Sequence, residues 1–348
     1  MRLPLDSYGV DLHVHLDGAI RPETLFEISN DQKSKVLFQN LEELKGKLMP
    51  RKPHSLKDFL KAFEIIIPLV AGKKEVLARI CEEFVEDCVK RGGLCYVETR
   101  YCPFLLTDSK CTAEEVLKTI LDALNRASKK HGIEVRSILS IMRHMPETAK
   151  ETLELAKNYQ PHGVVAIDIA GDDSVLKLQR VPEEIVQTFE NAKKANIHRT
   201  VHVGENSPAS SVYEAVNNLY AERIGHGYHI LDDENAYKSL LETGVHFELN
   251  LMSGMGAVFG WFIYNGSHQK CIRMRAVTWN PKGNRKGLMP KHTHSREFEA
   301  DIKIMDSNWK ILLGTCEWKM LVYGLCSSVR GYKCKEARIA YLPTDDVR

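Results

Sequence analysis

No C-x-x-C pair occurs among the nine cysteines, whose odd number and scattered spacing argue against a disulfide framework and for a reducing, cytoplasmic setting. The opening Met1-Arg2-Leu3-Pro4-Leu5-Asp6 has no apolar run resembling a signal peptide. No stretch approaches the roughly 18 consecutive apolar residues that a membrane span needs. Charge of one sign is not in excess: 48 Lys and Arg against 46 Asp and Glu leave a formal net charge of +2, too little to make nucleic acid or an anionic membrane an obligatory partner. The Gly-x-Gly-x-x-Gly fingerprint of a dinucleotide-binding sheet does not follow the first strand. His246-Phe247-Glu248 begins an H-x-E signature, but no P-C-x-x-C completes it, which excludes the zinc chemistry of cytidine-type deamination.

What remains is an ordinary globular composition, 43% hydrophobic and 27% charged over 348 residues, with ample material for a core. From residue 10 to about 250, short apolar runs alternate with amphipathic helical patterns, the signature of βα units around a parallel sheet. Strands are expected at 10–16, 94–100, 135–142, 163–169, 198–203, around 223–226, and at 245–249. An insertion, 20–53, follows the first strand. After it, Leu56, Phe59, Leu60 and Phe63 fall on one helical face, which suits either a core-facing stripe or a lid over a pocket. Thr112 with Glu115 forms a capping box for a helix ending at Gly132, Pro182 is placed at a first helical position, and Asp232 opens a helix closed by Gly244. Seven such units want one more to close a (β/α)8 barrel of the TIM type, a fold whose functional residues sit at the C-terminal ends of the strands.

Polar residues gather at those ends. His13, His15 and Asp17 belong to strand one, Glu98 and Arg100 to strand two, Arg143 and His144 to strand three. Asp168, Gly171 and Asp172 end or follow strand four, His202 and Glu205 strand five, His226 and His229 strand six. Alternation along an extended strand points His13 and His15 to the same side, a two-toothed clamp for a metal. With His202 they make three imidazoles for one divalent ion, and neutral nitrogen ligands favour Zn2+. Such an ion lowers the pKa of bound water. Glu205 and His226 are placed to serve as the acid and as the base or orienter that hydrolysis then requires.

The strings His13-Val14-His15-Leu16-Asp17-Gly18, Val97-Glu98-Thr99-Arg100-Tyr101-Cys102-Pro103, Met142-Arg143-His144, Asp168-Ile169-Ala170-Gly171-Asp172, His202-Val203-Gly204-Glu205 and Gly225-His226-Gly227-Tyr228-His229 together resemble the adenosine deaminase family, in order and over roughly 70% of the chain. The resemblance implies a zinc-dependent hydrolase of purine metabolism, monomeric, that converts adenosine and 2'-deoxyadenosine to inosine and deoxyinosine plus ammonia. It implies His13, His15 and His202 as zinc ligands, Asp17 as a ribose contact and Gly171 as a backbone donor to the purine. Glu205 would protonate the ring nitrogen beside the attacked carbon, and His226 would orient the attacking water. His15 would border the substrate as well as the metal, and the helix bearing Phe59 and Phe63 resembles the family's hydrophobic gate.

The resemblance ends near Leu249. The family's eighth strand carries a Thr-Asp-Asp-Pro motif whose first Asp is a zinc ligand. Here residues 249–296 contain no Asp or Glu, while Lys and Arg accumulate among Gly, Pro and Trp. The expected organisation is therefore a deaminase-like barrel over residues 1–250 and a divergent basic segment over 251–348, with the barrel incomplete at its eighth strand and C-terminal helices. A trace of the motif, Thr344-Asp345-Asp346, arrives late and without proline, and Ile311-Leu312-Leu313 is an alternative strand without an acid. A competing reading follows from the same gap: a catalytically inactive relative that retains purine or partner binding.

Overall fold

The computed structural model describes residues 9–31, 38–48 and 56–248. Seven strands, β1 (Gly9–His15), β2 (Leu94–Tyr101), β3 (Glu134–Met142), β4 (Val164–Ala170), β5 (His198–Val203), β6 (Arg223–His226) and β7 (His246–Glu248), form one parallel sheet in strict sequence order. Neighbouring strands lie about 4.8 Å apart, so a flat sheet would hold β1 and β7 roughly 29 Å from each other. Yet His13 Nδ1 on β1 is 2.6 Å from Glu248 Oε2 on β7. The sheet is therefore curled into a nearly closed barrel, and its two edge strands meet through side chains in the interior.

Helices α1 (Pro22–Asp31), α2 (Leu41–Leu48), α3 (Leu56–Val70) and α4 (Lys74–Lys90) intervene between β1 and β2; α5 (Ala113–His131), α6 (Ala149–Tyr159), α7 (Glu183–Lys194), α8 (Ala209–Asn217) and α9 (Glu234–Thr243) each follow one strand. Their local chemistry matches their bounds. Thr112 and Glu115 close the capping box at the start of α5, and Gly132 ends that helix at φ 70°, a left-handed conformation that a Cβ would penalise. Two boundaries differ from the sequence expectation. Pro182 has φ −53° and ψ 142° and precedes α7 instead of opening it, and Asp233, not Asp232, caps α9 by accepting from the backbone N–H of Asn235 and Ala236. In each case the residue just before the helix, Pro182 or Asp233, has the extended ψ that a cap needs.

The hydrophobic core lies between barrel and helices. Phe84 and Val85 of α4, Leu117, Ile120 and Leu124 of α5, and Ile185 and Phe189 of α7 pack with Leu139, Ile141, Ile167, Ile169, Val201 and Val203 of the strands. Burying each large apolar side chain contributes about 1.5–3 kcal/mol. Helix α3 turns differently from its expected stripe: Leu56, Ala62, Ile66, Leu69 and Val70 are buried, while Phe59, Leu60 and Phe63 are half-buried. Most of the stripe is thus on the flank of the helix, facing the loop after β1. A Cβ placed on Gly18 would lie 3.5 Å from Phe63 Cζ. The expected segment 251–348, with Thr344-Asp345-Asp346 and Ile311-Leu312-Leu313, lies outside the described residues, and among these no helix is long and apolar enough to cross a membrane.

Candidate active site

Alternation along β1 turns Asp11, His13 and His15 inward. The β1–β2 pairing is irregular between Asp11 and Val14. There Asp11 Oδ1 accepts from the His13 backbone N–H at 2.9 Å. His13, His15, His202 and His226 then come together from β1, β5 and β6. The His13 ring centroid is 4.6 Å from that of His202 and 5.2 Å from that of His226, and His15 Nε2 is 3.0 Å from His202 Nε2. One ring nitrogen each from His13, His202 and His226 lies within 4.8 Å of the others. His15, expected as a ligand, stands beside this trio, its ring 5.6 Å from that of His13, with Nδ1 facing Asp17 Oδ1 at 3.9 Å.

The convergence needs a glycine. His202, Gly225 and Glu248 are in register across β5, β6 and β7. A Cβ at Gly225 would lie 2.9 Å from His13 Cε1 and 3.4 Å from the His202 Cα, so any larger residue would expel the His13 ring from the space it uses to reach Glu248. The next residue, His226, has φ +69°, a left-handed conformation that costs a non-glycine residue about 1–3 kcal/mol and is tolerated where surrounding structure enforces it.

Burial sets the protonation states. It drives His13 and His15 well below the ordinary imidazole value and His202 and His226 to about 3, with neighbouring cationic groups adding to the effect. All four rings are therefore neutral near pH 7. In two of them the far nitrogen is committed to a carboxylate: His13 Nδ1 to Glu248, and His202 Nδ1 to Asp168 Oδ1 at 3.0 Å and the Ile169 carbonyl at 3.1 Å. A carboxylate on the far nitrogen is the arrangement that fixes the tautomer of a metal-binding histidine and leaves its other nitrogen free to ligate. Neutral imidazoles, carboxylate backing and burial together fit a borderline cation such as zinc.

Glu205 is 6% exposed in the loop after β5. Burial raises its carboxyl to about 8, and Asp173 and Asp172 add to the rise, so it holds its proton at neutral pH. Its Oε1 has no hydrogen-bond partner among the described residues, and its Oε2 is 3.5 Å from His226 Nε2. The loop is held by Asp173, which accepts from the backbone N–H of Glu205, Asn206 and Ser207 at 2.9–3.1 Å and from Ser207 Oγ at 2.7 Å. Asp17, in the turn after β1, is raised to about 7 by burial, and its Oδ1 likewise accepts no hydrogen bond among the described residues. Gly171 follows β4 at φ +101°.

Several residues take other places than their strand-end position suggested. Glu98 lies deeper in the barrel, accepting from Tyr96 Oη at 2.8 Å and Arg223 Nη1 at 2.6 Å. His144 is exposed, whereas Arg143 turns inward and donates to the His202 carbonyl. His229 pairs with Asp232 at the start of the next segment. Asp173 and Glu248 were not singled out from sequence. Asp172 and Asp173 are adjacent acids, of which Asp172 is spent capping through Ser174 N, so the second was free to reach another loop. Glu248 obeys the same strand-end rule as the others, and its H-x-E setting belonged to a signature that was rejected.

Matches to known proteins agree with this geometry. The sequence model of the adenosine deaminase family matches residues 9–258. The adenosine deaminase of Xenopus laevis is 44% identical over 252 residues, 69% of this chain and 70% of that protein. That of Rattus norvegicus is 42% identical over 69% and 71%, and that of Clostridium perfringens 34% identical over the same shares. Among solved structures, Arabidopsis ADAL complexed with IMP superposes with a TM-score of 0.62 at 25% identity, covering 75% of this chain and 78% of that one. A zinc-bound amidohydrolase from Burkholderia ambifaria shares the fold, with a TM-score of 0.64 at 22% identity over 78% and 72%. A barrel that gathers imidazoles at one end, a protonated glutamate among them, and this span of identity have one common explanation: the chain belongs to the adenosine deaminase family of hydrolases.

Proposed function

We propose that this chain hydrolyses adenosine and 2'-deoxyadenosine to inosine and deoxyinosine, releasing ammonia, with one Zn2+ per chain. The observation that carries the reading is Glu205: a carboxyl buried against His226, neutral at pH 7, next to a cluster of neutral imidazoles. Zinc would be held by His13, His15 and His202, and when bound it supplies the lowering of a water's pKa that makes hydroxide available near neutrality. Glu205 gives its proton to the purine nitrogen beside the attacked carbon, which makes that carbon the better electrophile. His226, through Nε2, orients the water on the same side as Glu205. Asp17 receives a ribose hydroxyl on its unpartnered Oδ1, which a buried acceptor requires. Gly171 offers its backbone N–H to the purine ring, and the flank of α3 bearing Phe59, Leu60 and Phe63 closes the pocket as an apolar gate.

The proposal extends to the whole chain: residues 1–250 act as the deaminase-like unit, the substrate is a small molecule, and the protein works as a monomer in the cytoplasm. The inactive alternative gains no support from the described site, where the acid, the orienter and the histidines stand together. Glu205→Gln keeps the shape and a donor but cannot transfer a proton. It should retain zinc and bind a purine riboside while losing about 10²–10⁴ of the rate, read as the loss of adenosine absorbance. A variant as fast as the parent would overturn the role of Glu205. A parent that holds zinc but does not turn over either nucleoside would overturn the proposed activity.

A further inference from the structure

Beneath the histidines the barrel interior is ionic where a barrel of this type is usually filled with aliphatic side chains. Glu248, the last residue of β7, sits among three donors: His13 Nδ1 at 2.6 Å, Arg100 Nη2 at 2.8 Å on the same oxygen, and the Arg223 guanidinium beside Oε1. Arg100 is fully buried and faces Asp168 Oδ2 at 3.7 Å; Arg223 is bonded in turn to Glu98.

The two guanidiniums have a second task. The irregular pairing between Asp11 and Val14 interrupts the ladder where His13 is carried. The carbonyl of Leu12, one residue before His13, accepts instead from Arg100 Nη2 at 2.7 Å and Arg223 Nη2 at 3.3 Å. The His13 ring and the Leu12 carbonyl that precedes it are thus both held by one ionic group of side chains contributed by β2, β6 and β7, while the His13 backbone N–H is held by Asp11.

We infer that Glu248, held between Arg100 and Arg223, is the positioning residue for His13: it keeps the ring proton on Nδ1 and turns Nε2 toward His202 and His226. The inference rests on the reading that His13, with His15 and His202, holds a metal, yet it assigns a role in that site to an acid outside the ligand set. His13 and Arg100 both bond to Oε2, while Oε1 faces the Arg223 guanidinium as an ion pair and accepts no hydrogen bond among the described residues, so the two oxygens meet different groups. The amide of Glu248→Gln would offer one acceptor and one donor, leaving either the ring or a guanidinium facing N–H against N–H.

The test uses the full chain freed of metal. Zinc affinity is measured by competition with a chromophoric chelator for the parent, for Glu248→Gln, and for Glu98→Gln, which breaks a buried pair on Arg223 without touching a histidine. Removing the hydrogen-bonding partner of a metal-binding histidine typically lowers affinity 10–100-fold. We expect that loss for Glu248→Gln and less than about 3-fold for Glu98→Gln, although both variants should melt earlier than the parent. Equal losses in the two, or none in Glu248→Gln, would reduce Glu248 to a structural residue and overturn the inference. Should Glu248→Gln fail to fold, long-range 1H–15N correlation spectra of the metal-free parent decide: His13 protonated on Nδ1 supports the assignment and on Nε2 refutes it. A parent that binds no zinc while His13 shows the Nδ1–H tautomer would count against the proposed zinc chemistry and not against the positioning of His13.

Discussion

Replacing Glu205 with Gln should change the stability of the metal-free protein in a way that depends on pH. Burial carries this carboxyl from its ordinary 4.5 to about 8. Between those values the folded chain keeps the proton and the unfolded chain releases it. Ionisation then stabilises only the unfolded state, so the parent loses stability as pH rises from about 4.5 to 8 and the loss is complete above that. Each pH unit is worth about 1.4 kcal/mol, giving about 5 kcal/mol over the window. Gln has nearly the same volume and no titration, so the stability of the variant minus that of the parent should grow with pH by that slope. Other shifted groups are common to both proteins and cancel in the difference. The four histidines, depressed by burial, take stability away as pH falls below about 6.5 in parent and variant alike. Urea unfolding with a chelator present, at pH 5, 6, 7 and 8, measures this. A difference that is flat across the four values would mean that Glu205 titrates normally, and its assignment as a proton donor at neutral pH would fall with it.

The site makes further commitments. His13→Ala and His202→Ala each remove one buried imidazole from the cluster and should lower zinc stoichiometry in purified protein well below one per chain; unchanged metal content by elemental analysis would dismiss the clamp. Gly225→Ala sets a Cβ 2.9 Å from His13 Cε1, and should cost about 1–3 kcal/mol in urea unfolding together with a loss of zinc affinity, so full affinity would show that the ring can move aside. Asp173→Asn removes the charge that gathers the loop at Glu205, Asn206 and Ser207. It should cost about 2–4 kcal/mol and lower the pKa of Glu205, moving the alkaline limb of the pH–rate profile to lower pH; a limb that stays in place would mean that burial alone sets that pKa.

The sequence by itself determined the order and kind of the elements, because each is written in short-range chemistry. Alternating apolar runs gave seven parallel strands, Thr112 with Glu115 fixed the start of α5, and Gly132 and Gly244 closed their helices in left-handed conformations. It also determined which side chains face inward at the strand ends, since that follows from a period of two along β1, β4 and β5. Tertiary structure decided which of them meet. His13 reaches Glu248 across 235 positions only because the sheet curls, and only because Gly225 leaves the gap, so no local pattern carries that contact. Glu98 and Arg100 share a strand and an orientation, yet one is bonded to Arg223 in the barrel floor and the other backs Glu248; depth along the barrel axis separates them, and depth depends on register between strands far apart in sequence. The same holds for charge: burial beside Asp173 is what leaves Glu205 protonated at pH 7, a consequence of dielectric surroundings that exist only once the chain has folded.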